Sequence, residues 1–206
     1  LLGDRIRLSV LDDKSKSDSI YVRSVATRSS SGSIPSIIRD LASHLLVNNF
    51  DLVIIETVGA GQAEMRCAAI ANRIVVVEGP ARGDGIQAEK AGLLELADLI
   101  VVNKSDLDGS DKVVNDLTIS LGLTSDAPPI LKTSAVTGEG LDDLSELITR
   151  LDERTSSKRA RNRQQLLMAH ENILTANPHF EAVLDRMSEE GLTLDAALRE
   201  LNERPN

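Results

Sequence analysis

The sequence predicts an α/β fold in which a mostly parallel sheet carries helices on both faces. Strand-like and helix-like segments alternate up to Arg154, and several of the strand-like segments are continuous β-branched runs. No strand-like segment follows Arg154. Alternation of this kind is typical of a parallel sheet, and unbroken apolar strands are typical of strands buried on both faces. We therefore expect three layers, followed by a helical extension.

Five short apolar runs bounded by turn-forming residues predict the strands. They cover residues 20–25, 52–57, 74–77, 99–102 and 129–133. Between and after them, apolar residues recur at helical spacing. This periodicity predicts helices at about residues 36–47, 87–97, 113–121 and 141–151.

The character of the chain changes after Arg154, which divides it into residues 1–154 and residues 155–206. The second part predicts two or three helices, with breaks at Asn177-Pro178 and Glu190-Gly191. We expect this extension to pack on the first domain or on a second copy of the chain. It contains a short basic cluster without interleaved aromatic residues, which favours a solvated or interface face over a nucleic-acid patch. The cluster consists of Lys158, Arg159, Arg161 and Arg163.

Composition limits the function classes. The chain has 206 residues, of which 41% are apolar, so a core of aliphatic side chains is expected. The net charge of −9 argues against a general nucleic-acid binder. A single cysteine, Cys67, allows no internal disulfide and favours a reducing compartment such as the cytoplasm. No apolar run reaches membrane-spanning length, so we expect no membrane partner.

The most informative motif is Asn103-Lys104-Ser105-Asp106, which follows a predicted buried strand. An aspartate carboxylate accepts two hydrogen bonds at once, as the ring N–H and amino group of guanine require, and adenine lacks that donor pair. Asp106 is the candidate for this role, Asn103 would tie the loop and reach the purine, and the stem of Lys104 would lie along the ring. The four residues alone are equally typical of a turn after a strand.

A second segment supports the guanine interpretation. Ser134-Ala135 follows the predicted strand at residues 129–133 and precedes Val136-Thr137-Gly138-Glu139-Gly140 and a helix. A strand-end Ser-Ala after Asn-Lys-x-Asp is expected to complete a guanine site, with the backbone N–H of Ala135 meeting the guanine carbonyl. Together the two segments predict GTP or GDP as the ligand.

The segment from Glu56 to Gln62 predicts the phosphate side of the site. An apolar strand delivers the acid Glu56 at its end, and glycines follow. Glu56 would lie near Mg²⁺, usually through water, and Gly59 would offer its N–H to the terminal phosphate. Gln62 is a candidate for positioning the attacking water. The alternative for Glu56 is an acid that caps a loop at a strand end.

A Gly-x-x-x-x-Gly-Lys-Ser/Thr phosphate loop is absent from the 206 residues. Such a loop would come first in the chain, which here opens on Leu1 instead of methionine. We expect the chain to be part of a longer protein whose phosphate loop and a central strand lie upstream. On that expectation the 206 residues alone bind nucleotide poorly and are inactive.

These residues resemble the MeaB/ArgK family of P-loop GTPases, chaperones of adenosylcobalamin-dependent methylmalonyl-CoA mutase. Residues 56–62 are the most specific match. The resemblance implies a Mg²⁺ and switch role for Asp4, and a first switch around residues 21–28. It also implies a partner-sensing third switch in residues 80–92, and homodimerisation through residues 155–206. The switch and partner candidates are Arg23, Arg28, Asp84, Gln87 and Lys90.

Two other functions stay open. A metal-delivery GTPase for nickel would need a Cys/His cluster, and Cys67, His44, His170 and His179 lack ligand spacing. A non-catalytic remnant could dimerise and dock on a mutase without hydrolysis, and the missing phosphate loop favours that alternative. Within the third switch, Gly85 and Ala88 depart from the family pattern, which bears on how hydrolysis is coupled to the mutase.

Overall fold

The computed structural model describes residues 20–25, 37–57, 62–80, 88–122 and 126–203. Within them lie three strands and eight helices. The strands are β1 (Val75–Glu78), β2 (Leu99–Val102) and β3 (Ile130–Lys132). The helices are α1 (Ile37–Val47), α2 (Gln62–Cys67), α3 (Ala88–Leu96), α4 (Ser110–Leu121), α5 (Leu141–Arg150), α6 (Thr155–Ala176), α7 (Phe180–Glu189) and α8 (Leu194–Glu203).

The three strands form a parallel sheet in the order β1-β2-β3. In the register, Glu78 pairs with Val102, and Val102 pairs with Lys132. The carboxyl ends of all three strands therefore meet at one edge of the sheet. This parallel sheet, its helices and the helical carboxyl-terminal region confirm the predicted fold class.

The central strand β2 is buried on both faces, because all four of its side chains are at most 2% exposed. Since successive side chains of a strand point to opposite faces, both faces of β2 are covered. Ile100 and Val102 lie on one face and pack in a cluster with Leu94, Leu96 and Leu117. This aliphatic cluster joins α3 and α4 to the sheet and holds β2 rigidly beneath the loop that follows it.

Two of the predicted strands are wrong. Residues 20–25 and 52–57 belong to no strand of the structure. A strand exists only where a neighbouring chain completes its ladder of hydrogen bonds, and no described strand lies beside the outer edge of β1. Apolar side chains in both segments are accordingly exposed, such as Tyr21 and Ile54.

The strand predicted at residues 99–102 is confirmed with the same ends, and the other predicted elements are present with shifted ends. The helix predicted from residue 113 begins at Ser110, and the three extension helices are α6, α7 and α8. The short helix α2 was not predicted.

A buried ion pair fastens α6 to the sheet domain. Asp98, directly before β2, is 1% exposed, and Arg161 of α6 is 3% exposed. Arg161 Nη1 donates to Asp98 Oδ2 at 2.6 Å, and Ser157 Oγ donates to Asp98 Oδ1 at 2.5 Å. The backbone N–H of Ile74 also donates to Asp98 Oδ2, at 2.9 Å. Because each buried charge has a partner, α6 is held in one position at the start of β2.

Further hydrogen bonds support the beginning of α6. Arg161 Nη2 donates to Glu153 Oε1 at 2.8 Å, and this bond holds the pKa of Glu153 below its usual value. Arg154 donates to the backbone oxygens of Ala97 and Asp126. The backbone N–H of Ser156 donates to Asp126 and, as the largest cause, lowers the pKa of that carboxyl.

The carboxyl-terminal helices have a small core of their own. Val183, Ala197 and Leu201 are buried together, with Leu174 of α6 and Phe180 packed against them. This cluster joins α7 and α8 to the end of α6. In the described part of the chain, no helix combines the length and apolarity needed to cross a membrane.

Candidate functional site

Two loops lie side by side at the carboxyl edge of the sheet. One follows β2 and contains residues 103–109, and the other follows β3 and contains residues 133–140. Because β2 and β3 are paired and parallel, both loops leave the sheet at the same edge. The backbone N–H of Ser105 donates to the carbonyl oxygen of Thr133 at 2.9 Å, which joins the loops directly.

Asn103 ties the first loop to its surroundings. Its backbone N–H donates to the carbonyl oxygen of Glu78, at the end of β1, over 2.8 Å. Its side-chain oxygen Oδ1 accepts from the N–H of Lys104 at 2.8 Å and from the hydroxyl of Thr133 at 3.4 Å. Asn103 therefore connects the ends of all three strands.

Lys104 has an unusual backbone. Its φ of +64° lies in the left-handed region, which a lysine rarely adopts. Its side chain is exposed, so the stem is available to a ligand at this edge. The left-handed residue turns the chain sharply after β2 and directs the following residues toward the second loop.

Asp106 and Ser134 are in direct contact. The hydroxyl of Ser134 donates to Asp106 Oδ1. The same hydroxyl oxygen accepts from the N–H groups of Val136 at 3.3 Å and Thr137 at 3.1 Å. Ser134 is fully buried, whereas Asp106 and the neighbouring Ala135 are exposed. An anchored hydroxyl thus holds an accessible carboxylate next to Ala135, and the two halves of the predicted guanine site are adjacent.

Sequence reasoning missed Glu139. The hydroxyl of Ser105 donates to Glu139 Oε2 at 2.9 Å, across 34 positions of the chain. The carbonyl oxygen of Glu139 accepts from the N–H of Ser134 at 2.9 Å. Its place in Gly138-Glu139-Gly140 indicates a turn, but no local signal in the sequence indicates Ser105 as its partner.

Charged and polar side chains also fasten β3 and the first loop to α4. Lys132 donates to Asp111 at 2.7 Å, and this bond raises the pKa of Lys132, with a smaller contribution from Glu139. Ser110, the first residue of α4, donates to the carbonyl oxygen of Ser105 at 3.2 Å. The start of α4 therefore stabilises the first loop through a hydrogen bond.

The residues predicted for the phosphate side and the switches lie partly within and partly outside the described residues. Glu56 is exposed and lies in residues 52–57, and Arg23 is exposed in residues 20–25. Gln62 begins α2 and Lys90 lies in α3, but their side chains are outside the described atoms. Asp4, Arg28, Gly59, Asp84 and Gln87 lie outside the described residues. The roles given to these residues stay predictions.

No group of three or more His, Cys, Asp or Glu side chains among the described residues could hold a metal ion. A magnesium ion bound with a nucleotide needs only one or two protein carboxylates, because phosphates and waters supply the other ligands. The exposed carboxylate of Glu56, a hard oxygen donor, fits that requirement.

The geometry therefore provides an accessible carboxylate, an exposed lysine stem and a backbone turn at one edge of a parallel sheet. Comparison with known proteins identifies the family to which the chain is similar. Residues 1–190 match the model of "Methylmalonyl Co-A mutase-associated GTPase MeaB".

The chain belongs to this family. The resemblance predicted from the residues is thereby confirmed.

Relatives agree with the MeaB assignment. A Pyrococcus horikoshii protein provisionally named a GTPase is 39% identical over 155 residues, which are 72% of this chain and 48% of that protein. A mouse protein named methylmalonic aciduria type A homolog, mitochondrial, is 30% identical over 152 residues, covering 70% of this chain and 36% of the mouse protein. The chain thus spans about half the length of the Pyrococcus relative.

Two further matches extend the comparison. A fused isobutyryl-CoA mutase of Geobacillus kaustophilus is 40% identical over 111 residues, which are 54% of this chain and 10% of that protein. The crystal structure of an LAO/AO transport system kinase matches with a TM-score of 0.49 and 25% identity, covering 80% of this chain and 60% of that one.

Proposed function

We propose that the full-length protein carrying this chain binds GTP and GDP, hydrolyses GTP and serves an adenosylcobalamin-dependent methylmalonyl-CoA mutase as a chaperone. The observation that carries this proposal is the contact between Ser134 and Asp106, beside Ala135. It joins the two motifs that the guanine interpretation requires, although 28 positions separate them in the chain.

Guanine recognition would rest on Asp106. Its carboxylate accepts from the ring N–H and the exocyclic amino group, while the N–H of Ala135 donates to the guanine carbonyl. The stem of Lys104 covers one face of the purine, and Asn103 keeps the loop attached to the sheet. Ser134 holds the carboxylate through one oxygen, and a carboxylate has about four acceptor sites, so capacity for the base is left.

Hydrolysis would use the segment that begins at Glu56. Gly59 donates its N–H to the terminal phosphate, and Gln62 orients the attacking water in line with the bond that breaks. Glu56 and Asp4 would hold Mg²⁺, and the ion would supply charge neutralisation on the phosphate oxygens. The protein's own contribution is positioning and electrostatic stabilisation.

The partner proposal rests on the MeaB family and on the relatives' names. The matched Geobacillus protein is named a fused isobutyryl-CoA mutase, and the mouse relative is named for methylmalonic aciduria. Arg23, Arg28, Asp84, Gln87 and Lys90 are the residues that would sense the mutase. Through this contact the GTPase would gate cofactor loading or protect the enzyme.

Homodimerisation through residues 155–206 is part of the proposal. Apolar side chains on α6 are exposed in the single chain, and a partner helix would remove them from water. They are Leu166, Leu167 and Ile173.

The test is hydrolysis by the full-length protein with equal concentrations of GTP and ATP, in the presence of Mg²⁺. We expect phosphate release from GTP to exceed release from ATP by at least about 100-fold, because adenine leaves Asp106 without its donor pair. Adding methylmalonyl-CoA mutase is expected to raise the GTP rate. Equal rates with both nucleotides would refute the guanine assignment.

A further inference from the structure

Glu139 lies in the loop after β3 at this edge of the sheet, and the proposed chemistry gives it no role. It is neither one of the residues proposed to contact guanine nor part of the phosphate side. It nevertheless reaches from the loop after β3 to the residue between Lys104 and Asp106. This contact supports the left-handed backbone of Lys104 in the first loop.

The turn at Lys104 needs support from both sides. A non-glycine residue in the left-handed region persists only where its surroundings hold it there. On the amino-terminal side, Asn103 Oδ1 accepts from the N–H of Lys104. On the carboxyl-terminal side, Ser105 is held twice, by its N–H to Thr133 and by its hydroxyl to Glu139.

Glu139 is itself firmly placed. It stands between Gly138 and Gly140, whose φ angles are +84° and +68°. Its N–H donates to Thr137 Oγ1 at 3.3 Å, and its carbonyl oxygen accepts from the N–H of Ser134. Ser134 is the residue that holds Asp106. Glu139 therefore bonds to the residue before Asp106 with its side chain and to the anchor of Asp106 with its backbone.

We propose that Glu139 is a positioning residue for guanine recognition: its hydrogen bond to Ser105 fixes the turn that aims the Asp106 carboxylate at the base. This inference rests on the proposed function. Without the bond, the turn at Lys104 relaxes, and Asp106 no longer presents both acceptor positions to guanine at once. The affinity for guanine nucleotides then falls more than the affinity for nucleotides that lack the amino group.

The experiment measures displacement of fluorescent mant-GDP from the full-length protein by GDP, by IDP and by ADP. IDP lacks the exocyclic amino group and so reports binding without the second hydrogen bond of Asp106. We expect Glu139→Ala to lower GDP affinity roughly three- to tenfold, the range that one hydrogen bond commands. IDP affinity is expected to fall less, so that the GDP-to-IDP ratio also declines.

Two companion variants test the bond itself. Glu139→Gln keeps an oxygen acceptor for Ser105 and is expected to retain GDP affinity within about twofold. Ser105→Ala removes the donor and is expected to give the same loss as Glu139→Ala, with no further loss in the double variant. Additive losses, or a Gln variant as weak as the Ala variant, would overturn the proposal.

Glu146→Ala is the matched control, because Glu146 pairs with Arg150 on the exposed side of α5 and touches neither loop. It is expected to bind GDP like the wild type. The inference alone fails if the wild type selects GDP over ADP while Glu139→Ala keeps the wild-type GDP affinity and the wild-type GDP-to-IDP ratio. If the wild type does not distinguish GDP from ADP, the proposed function fails with it.

Discussion

Gly140 occupies a position that no other residue can fill without moving the backbone. Its φ is +68°, and a Cβ atom built on it would lie 2.2 Å from the carbonyl oxygen of Lys132. Both conditions matter, because the left-handed backbone disfavours an L side chain and the close approach excludes one. Glycine here lets the loop that carries Ser134 and Glu139 return to β3 before α5 begins.

Gly140→Ala is therefore expected to lower the free energy of unfolding by about 2–4 kcal/mol, the sum of backbone strain and overpacking. Gly191→Ala is the control, since its φ is +72° and a Cβ there would meet nothing within 4 Å. Strain alone should cost about 1–2 kcal/mol at Gly191. Urea unfolding of the two variants measures the difference, and equal losses would contradict the close approach at Gly140.

At the scale of elements, one buried ion pair connects the helical extension to the strand beneath the candidate site. Asp98 precedes β2, whose other end carries Asn103, and Arg161 lies in the second turn of α6. Removing one partner of a buried pair leaves an uncompensated charge. The position of α6 thus depends on Arg161 more than on its exposed ion pairs.

Arg161→Ala is expected to destabilise the protein by about 3–5 kcal/mol, because the Asp98 carboxylate stays buried without its cation. Arg150→Ala breaks the exposed pair with Glu146 on α5 and should cost less than about 1 kcal/mol. Guanidinium unfolding followed by circular dichroism compares the two variants. A loss at Arg161 as small as that at Arg150 would refute the anchoring role.

At the scale of the whole molecule, α6 joins the sheet domain to the two last helices. It packs on α3, α2 and α7, and its middle and end expose apolar side chains. Leu166 is 73% exposed and Ile173 is 69% exposed, seven positions apart and so on one face of the helix. This face is the part of the extension that the proposed dimer would cover.

The full-length protein is expected to sediment as a dimer at tens of micromolar, and Leu166→Glu/Ile173→Glu is expected to sediment as a monomer. Two charges in an apolar contact would carry a large desolvation cost. Ile119→Glu is the control, because Ile119 is 66% exposed but lies on α4. A monomeric wild type, or a dimeric double variant, would contradict dimerisation through this face.

Local pattern was sufficient for much of this architecture. β2 and the helices of the extension were predictable because apolar periodicity and turn residues act over a few neighbours. Residues 52–57 have the same apolar character as β2, yet they form no strand, since a strand also depends on a neighbour that the pattern does not contain. Continuous β-branched composition therefore predicted a tendency to form a strand, but it could not predict whether a neighbouring strand would pair with it.

The candidate site divides in the same way. The contact between Asp106 and Ser134 was predictable, because the order of their two segments along the chain is typical of a guanine site. The bond from Ser105 to Glu139 was not, because it spans 34 positions and depends on the pairing of β2 with β3. The left-handed backbone of Lys104 is likewise imposed by its surroundings, because a lysine in the sequence does not predict a positive φ.

Equilibrium binding of GDP and XDP to the wild type and to Asp106→Asn, measured on the full-length protein, tests the central claim most directly. Asparagine replaces one acceptor with a donor, which mismatches guanine and matches the second carbonyl of xanthine. The account predicts that GDP affinity falls by about 10²–10⁴-fold, because one charge-assisted hydrogen bond is lost, the other loses its charge and the new amide donor faces a guanine donor, while XDP binding improves. Unchanged GDP affinity in Asp106→Asn would contradict it.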